Sequence, residues 1–147
     1  MSFLAVIVVS NCLLGCECRY KGDGCKNDDI LSLAKEHTLI GVCPEQMGGL
    51  STPRDPSERV GDKVISNKGR DVTFEYKKGA ASALLLAQLN KADFAILKAK
   101  SPSCGKGIIY DGTFTGNKIE GNGTTTELFL ENNIPVFTED ELDKLPL

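Results

Sequence analysis

Phe3-Leu-Ala-Val-Ile-Val-Val9 is an unbroken apolar, β-branched run closed by Ser10-Asn11-Cys12. A strand with one wet face alternates apolar and polar residues. This one does not, so both of its faces are covered, as in a parallel sheet flanked by helices. Two further segments repeat the design. Thr38-Leu-Ile-Gly-Val42 is short and apolar and runs straight into Cys43-Pro44-Glu45. Phe94-Ala-Ile-Leu97 leads through Lys98-Ala99-Lys100 into the turn Ser101-Pro102-Ser103-Cys104-Gly105, which can expose its cysteine. Ile134-Pro-Val-Phe137 reads as a last strand.

Helical signals lie between the strands. Asn27 or Asp28 can cap a helix over Ile30-Leu31-Leu33-Ala34 that ends near His37. Asp71 or Thr73 can cap a longer one through Ala80-Ala81-Ala83-Leu84-Leu85-Ala87-Leu89 to Asn90, and Thr125 to Asn132 reads as a third. Gly48 to Val60, with Pro53 and Pro56, is expected to be a long irregular surface loop of the kind that serves function. Gly105 to Gly123 is expected to be irregular apart from a short hairpin about Ile108 to Phe114. Strands alternating with helices imply right-handed βαβ units. The expected fold is α/β and Rossmann-like: a parallel sheet of about four to five strands with helices on both faces, forming a single domain over residues 1–147.

The chain has 147 residues, 41% of them hydrophobic and 25% charged, which is ordinary for a globular protein. Its net charge is -3, and Lys and Arg are scattered among Asp and Glu, so a nucleic-acid polymer finds no basic stripe to bind. Leu13-Leu14-Gly15-Cys16 resembles a lipoprotein cleavage site. Yet no Lys or Arg precedes the short apolar run, and Ser10-Asn11-Cys12 interrupts it, so export is not expected. No stretch approaches the roughly eighteen apolar residues that span a bilayer. The expected location is cytoplasmic, where six cysteines point to metal or catalysis rather than disulfides.

Parallel strands all point one way, so residues just past their carboxyl ends collect on one rim of the sheet. Cys12, Cys43 and Cys104 each follow a strand and are expected to meet there. The competing reading, three separate core thiols, leaves their shared position at strand ends unexplained. Three thiolates suit an iron–sulfur cluster with one open iron or a zinc ion with one open position. No closely spaced CxxC pair favours structural zinc, and the single His37 falls at the start of a strand, on the opposite rim. Cys16, Cys18 and Cys25 share the Gly-rich loop after Cys12. Cys18 and Cys25 read as incidental thiols, and Cys16 is a candidate fourth ligand.

Several motifs occur in order along the chain: Ser10-Asn-Cys-Leu-Leu-Gly15, Arg19-Tyr20, Cys43-Pro-Glu45, Gly48-Gly49-Leu50, Thr52-Pro53-Arg54, Gly69-x-Asp71-Val72-Thr73, Leu97-Lys98, Ser101-Pro-Ser-Cys-Gly105 and Tyr110-Asp-Gly-Thr-Phe114. Together they resemble the thiouracil desulfidase family over essentially the whole chain. The resemblance implies a [4Fe-4S] cluster held by Cys12, Cys43 and Cys104, with one open iron that acts as a Lewis acid toward the sulfur of a thiolated pyrimidine such as 2-thiouracil. Uracil and hydrosulfide would be the products, without net redox change. In protein purified in air the cluster is expected to be lost and the cysteines to be empty, oxidised or zinc-bound.

Within that chemistry Glu45, two residues past a ligand, is the expected general base or acid. Ser101 and Ser103 flank the third ligand and are expected to donate to cluster sulfur or to substrate. Arg19 and Tyr20 are expected to clamp a planar base, with Arg54 and Asp111 as further substrate-binding residues. The likeness departs at Lys21, where members commonly carry Asp. Two other functions fit three clustered thiolates: a cluster-dependent hydrolyase, and a non-catalytic cluster or metal carrier or sensor.

Overall fold

The computed structural model describes residues 4–147. Phe3, at the head of the first expected strand, lies outside them. In chain order the elements are β1 (Val6–Ser10), a 3-10 turn (Asn11–Leu14), α1 (Asp28–Ser32), β2 (Thr38–Val42), α2 (Pro44–Met47), β3 (Ser57–Val60), β4 (Lys63–Ser66), α3 (Thr73–Leu89), β5 (Phe94–Leu97), β6 (Ile108–Tyr110), β7 (Lys118–Glu120), α4 (Thr124–Glu131), β8 (Val136–Thr138) and a closing 3-10 segment (Glu139–Lys144).

The parallel sheet runs β2-β1-β5-β8. Side chains alternate across it, as strand geometry requires. Ile7, Val9, Phe94 and Ile96 point to one face, where Ile30 of α1 and Leu142 and Leu145 near the C-terminus cover them. Val8, Ala95 and Leu97 point to the other, under Ala83 and Ala87 of α3 and Phe129 of α4. Burying side chains of this size stabilises the fold by about 1.5–3 kcal/mol each, which is why an apolar run without alternation makes a central strand. The α/β architecture with helices on both faces is thus the observed one.

Register decides where the strands deliver their last residues. Ser10 of β1 lies opposite Val42 of β2, and Val9 lies opposite both Gly41 and Ile96 of β5. The three strands therefore end level. The chain order reverses between β1 and β5, the switch point at which open parallel sheets form their ligand crevice.

Two expectations need correction. The segment Gly48 to Val60 is not wholly irregular: β3 ends it and pairs antiparallel with β4, Ser57 facing Ser66 and Val60 facing Lys63. The second hairpin also extends past Phe114, since Tyr110 of β6 pairs with Lys118 of β7. Both hairpins are short and separate from the main sheet, and Ser57–Val60 is mixed in polarity, so it carries little apolar patterning. The expected Asn27 cap of α1 is observed, whereas α3 is capped by Val72 without a side-chain bond rather than by Asp71 or Thr73, Asp71 closing a local turn ahead of the helix instead. Asn27 Oδ1 accepts the Ile30 N–H at 3.0 Å at the start of α1. Asp71 Oδ1 accepts the Thr73 N–H at 2.9 Å ahead of α3, while Thr73 Oγ1 accepts the Val64 N–H at 2.9 Å and ties that helix to β4.

The short α2 is held against α3 backbone to backbone. A Cβ on Gly79 would overlap the Pro44 carbonyl, and one on Gly48 would overlap the Glu75 carbonyl. Only glycine permits this approach. It fixes the position of the Cys43-Pro44-Glu45 segment. Among the described residues no helix is long and apolar enough to cross a membrane.

Candidate active site

A cleft of about 450 Å³ opens beyond the carboxyl ends of β1, β2 and β5, a size typical of small-molecule sites. Cys12, Cys43 and Cys104 all line it. Cys12 sits in the 3-10 turn, which closes on Gly15 at φ 102 with the Gly15 N–H bonded to the Cys12 carbonyl. Cys43 caps α2. Cys104 follows the Ser101-Pro102 turn and is 3% exposed, its carbonyl accepting the Thr126 hydroxyl at 2.7 Å.

The thiols influence one another electrostatically. The Cys43 thiol is pushed far above its ordinary range, first by a hydrogen bond with the Cys18 thiol, then by burial and the charge of Glu45. The Cys104 thiol is likewise raised, first by burial and then by Glu45, while hydrogen bonding with Ser10 and Ser103 partly offsets the effect. Both thiols feel the same carboxylate, so these distant parts of the chain share one low-dielectric space. A cation placed among them would reverse the shifts and favour thiolates.

Glu45 is nearly buried, and Arg54 Nη2 approaches its carboxylate at 3.4 Å. Arg54 is itself fixed by the Cys18 carbonyl at 3.0 Å and the Thr52 hydroxyl at 3.0 Å. Arg54 lines the cleft, with its guanidinium tied to Glu45 and to the loops. Ser101 Oγ accepts two backbone N–H groups, from Ser103 and Cys104, each at 3.1 Å. Its own proton remains available to donate.

Of the other expected residues, Arg19 and Tyr20 line the cleft. Arg19 pairs with Asp23 at 3.2 Å, an acidic neighbour two positions beyond Lys21. Ser103 does not reach the cleft. It is fully buried, bonded to the Thr125 hydroxyl at 2.9 Å, and receives the Cys104 thiol at 3.8 Å. Asp111 also lies away from the lining, its carboxylate spent on the Thr113 N–H and hydroxyl. His37 Nδ1 accepts the Ala5 N–H at 2.9 Å, a structural bond on the opposite rim.

Three lining residues were assigned no role from sequence. Ser10 accepts the Lys98 N–H at 3.0 Å and so joins the ends of β1 and β5 beside Cys104. Lys98 reaches Glu139 at 2.7 Å. Tyr76 brings a buried hydroxyl from α3, its acidity suppressed by desolvation and by Glu45. Only the Ser10 position carried a signal, as the residue closing a buried strand.

The donor set suits a polynuclear cluster. Soft thiols from the ends of three strands line one cleft, together with the Cys18 thiol, as an iron–sulfur cluster requires. All six cysteines are free.

A family model for 2-thiouracil desulfurase matches residues 7–141. The chain is 42% identical over 150 residues to the Bacillus subtilis (strain 168) protein YbbK, described as uncharacterized, covering 95% of this chain and 99% of that protein. Among solved structures, the [4Fe-4S]-dependent thiouracil desulfidase TudS is 43% identical, with a TM-score of 0.90 over 96% of this chain and 95% of that one.

Proposed function

The chain belongs to the 2-thiouracil desulfurase family, and from that premise we propose how its own residues carry out [4Fe-4S]-dependent desulfuration of a thiolated pyrimidine. The observation that carries the reading is the meeting of Cys12, Cys43 and Cys104 with Glu45 in one cleft.

Cys12, Cys43 and Cys104 supply the thiolates. When bound, the cluster supplies a Lewis-acidic iron that polarises a carbon–sulfur bond without changing oxidation state. Glu45 takes a proton from the attacking water, whose oxygen forms the new bond to the ring carbon as sulfur leaves. Arg54 keeps that carboxylate aimed. The free proton of the Ser101 hydroxyl is available to the polar edge of the ring, and Ser103 steadies Cys104 from behind. Arg19 and Tyr20, at the mouth, suit hydrogen bonding to and stacking on a planar base. Water and a 2-thio pyrimidine enter; a 2-oxo pyrimidine and hydrosulfide leave. Free thiols and scattered charge support a cytoplasmic enzyme with a small-molecule partner.

The test is to reconstitute the protein without oxygen and follow uracil and hydrosulfide released from 2-thiouracil. Equal release of both, dependent on reconstitution, is the expected result. A full cluster with no turnover overturns the reading in favour of a carrier.

A further inference from the structure

Three carboxylates line the cleft, and cations match two of them. Glu45 pairs with Arg54 at 3.4 Å and Asp55 with Lys68 at 3.5 Å, whereas Glu58 forms no ion pair among the described residues. Glu58 is half-buried on β3, and the tip of the second hairpin fixes its carboxylate. Its Oε1 accepts the Gly112 N–H at 2.9 Å and the Phe114 N–H at 3.1 Å. The tip sits close: a Cβ on Gly112, whose φ is 93°, would come within 2.7 Å of the Val60 side chain. Glycine is what lets it approach. With Oε1 spent on two backbone donors, Oε2 has none among the described residues. Nor is Oε2 sealed in the protein, because Thr124 Oγ1 is the sole buried side-chain oxygen or nitrogen there without a partner. A rigidly held carboxylate oxygen, open on a small-molecule cleft and matched by no cation, is suited to receive an N–H from the ligand.

We propose that Glu58 is a specificity-determining residue whose Oε2 accepts the ring N–H beside the reacting carbon of a thiolated pyrimidine. This deepens the desulfuration reading and rests on it. A thiouracil with sulfur at either carbonyl position carries such an N–H, and so does the oxo product. A ring alkylated on its nitrogens carries none, and it would leave Oε2 facing a methyl group, stripped of water and without a donor. Glu58 thereby selects rings that keep a free N–H next to the thiocarbonyl. It takes no proton and forms no bond to carbon, since the sulfur side of the ring belongs to the thiols and Glu45.

Wild type and Glu58→Gln, reconstituted without oxygen, test this by titration with two unreactive ligands, uracil and 1,3-dimethyluracil, beside iron content. Glutamine keeps an oxygen for the Gly112 and Phe114 N–H groups and puts an NH2 donor in place of Oε2, so the hairpin stays anchored while the acceptor is lost. Wild type is expected to bind uracil more tightly than dimethyluracil. In the variant this preference should shrink about ten- to a hundred-fold, the usual worth of a hydrogen bond to a charged group, with iron content unchanged and KM for 2-thiouracil raised. A wild type that binds both ligands alike overturns the proposal, whether or not the variant folds. An unchanged preference in the variant overturns it too, as does equal weakening of both ligands, which would make Glu58 a hairpin anchor alone. If the expected binding pattern holds but no hydrosulfide is released from 2-thiouracil, the desulfuration reading falls and the role of Glu58 in recognising the ring stands.

Discussion

Gly79 lies so close to the Pro44 carbonyl that a methyl group at this position would overlap the oxygen. The contact lies between a long helix and the four-residue helix that directly follows Cys43. Gly79→Ala must push α2 outward and carry Cys43 and Glu45 with it. Overpacking of this kind costs about 1–3 kcal/mol, a fall of roughly 2–4 °C in Tm per kcal/mol at this size. Thermal unfolding checks the stability. Turnover is expected to fall further than the stability loss explains, because the displaced segment includes the proton acceptor.

Glu45→Gln should leave cluster loading unchanged and lower kcat by about two to four powers of ten, the usual contribution of a positioned acid or base. Iron analysis beside steady-state kinetics separates the two effects. Loss of iron together with activity would instead make Glu45 a structural prop.

Arg54→Gln strips the counter-charge from a nearly buried carboxylate. Breaking such a pair on one side costs about 3–5 kcal/mol, whereas neutralising both partners costs much less. Arg54→Gln should therefore destabilise the fold more than the Arg54→Gln, Glu45→Gln double variant does, and denaturant unfolding of the cycle measures the difference. An additive double variant would show that the two groups do not communicate.

The strands, their order of use and the three cysteines at their ends were legible because each lies in a short apolar run whose pattern is local. Ser57-Glu58-Arg59-Val60 and Lys63-Val64-Ile65-Ser66 were not recognised as strands, since their residues are mixed in polarity and their pairing lies outside the central sheet. The surroundings of Cys18 and Arg54 were not legible for a related reason. Nothing near Cys18 in the sequence marks it as buried, and its environment is made by Cys43, 25 residues away. Arg54, expected to bind substrate, lines the cleft and also pairs with Glu45, nine positions back. Asp111 differs: its Asx-type bond to Thr113 is local.

Glu141 gives a pH signature of stability. Burial pushes its pKa up, but hydrogen bonds from Lys106 and the Thr138 N–H, with the charges of Lys106 and Lys144, outweigh this and hold it below the ordinary value of 4.5. A depressed folded-state pKa contributes stability that is complete above 4.5 and is lost as pH falls through the lower folded value. Glu141→Gln also removes the capping-box carboxylate beside Thr138. It should cost about 1 kcal/mol at neutral pH. The gap between wild type and variant should narrow progressively below pH 4.5, as followed by urea unfolding across pH. A gap constant with pH would contradict the assignment.

The most direct measurement of whether three strand-end thiols hold one cluster is iron and sulfide content per chain after anaerobic reconstitution, for wild type and for Cys12→Ser, Cys43→Ser, Cys104→Ser and Cys25→Ser. Wild type and Cys25→Ser should each hold about four irons, as a cubane cluster requires, while the other three variants should lose stable binding. Fewer than three irons in the wild type, or equal losses in all four variants, would contradict the account.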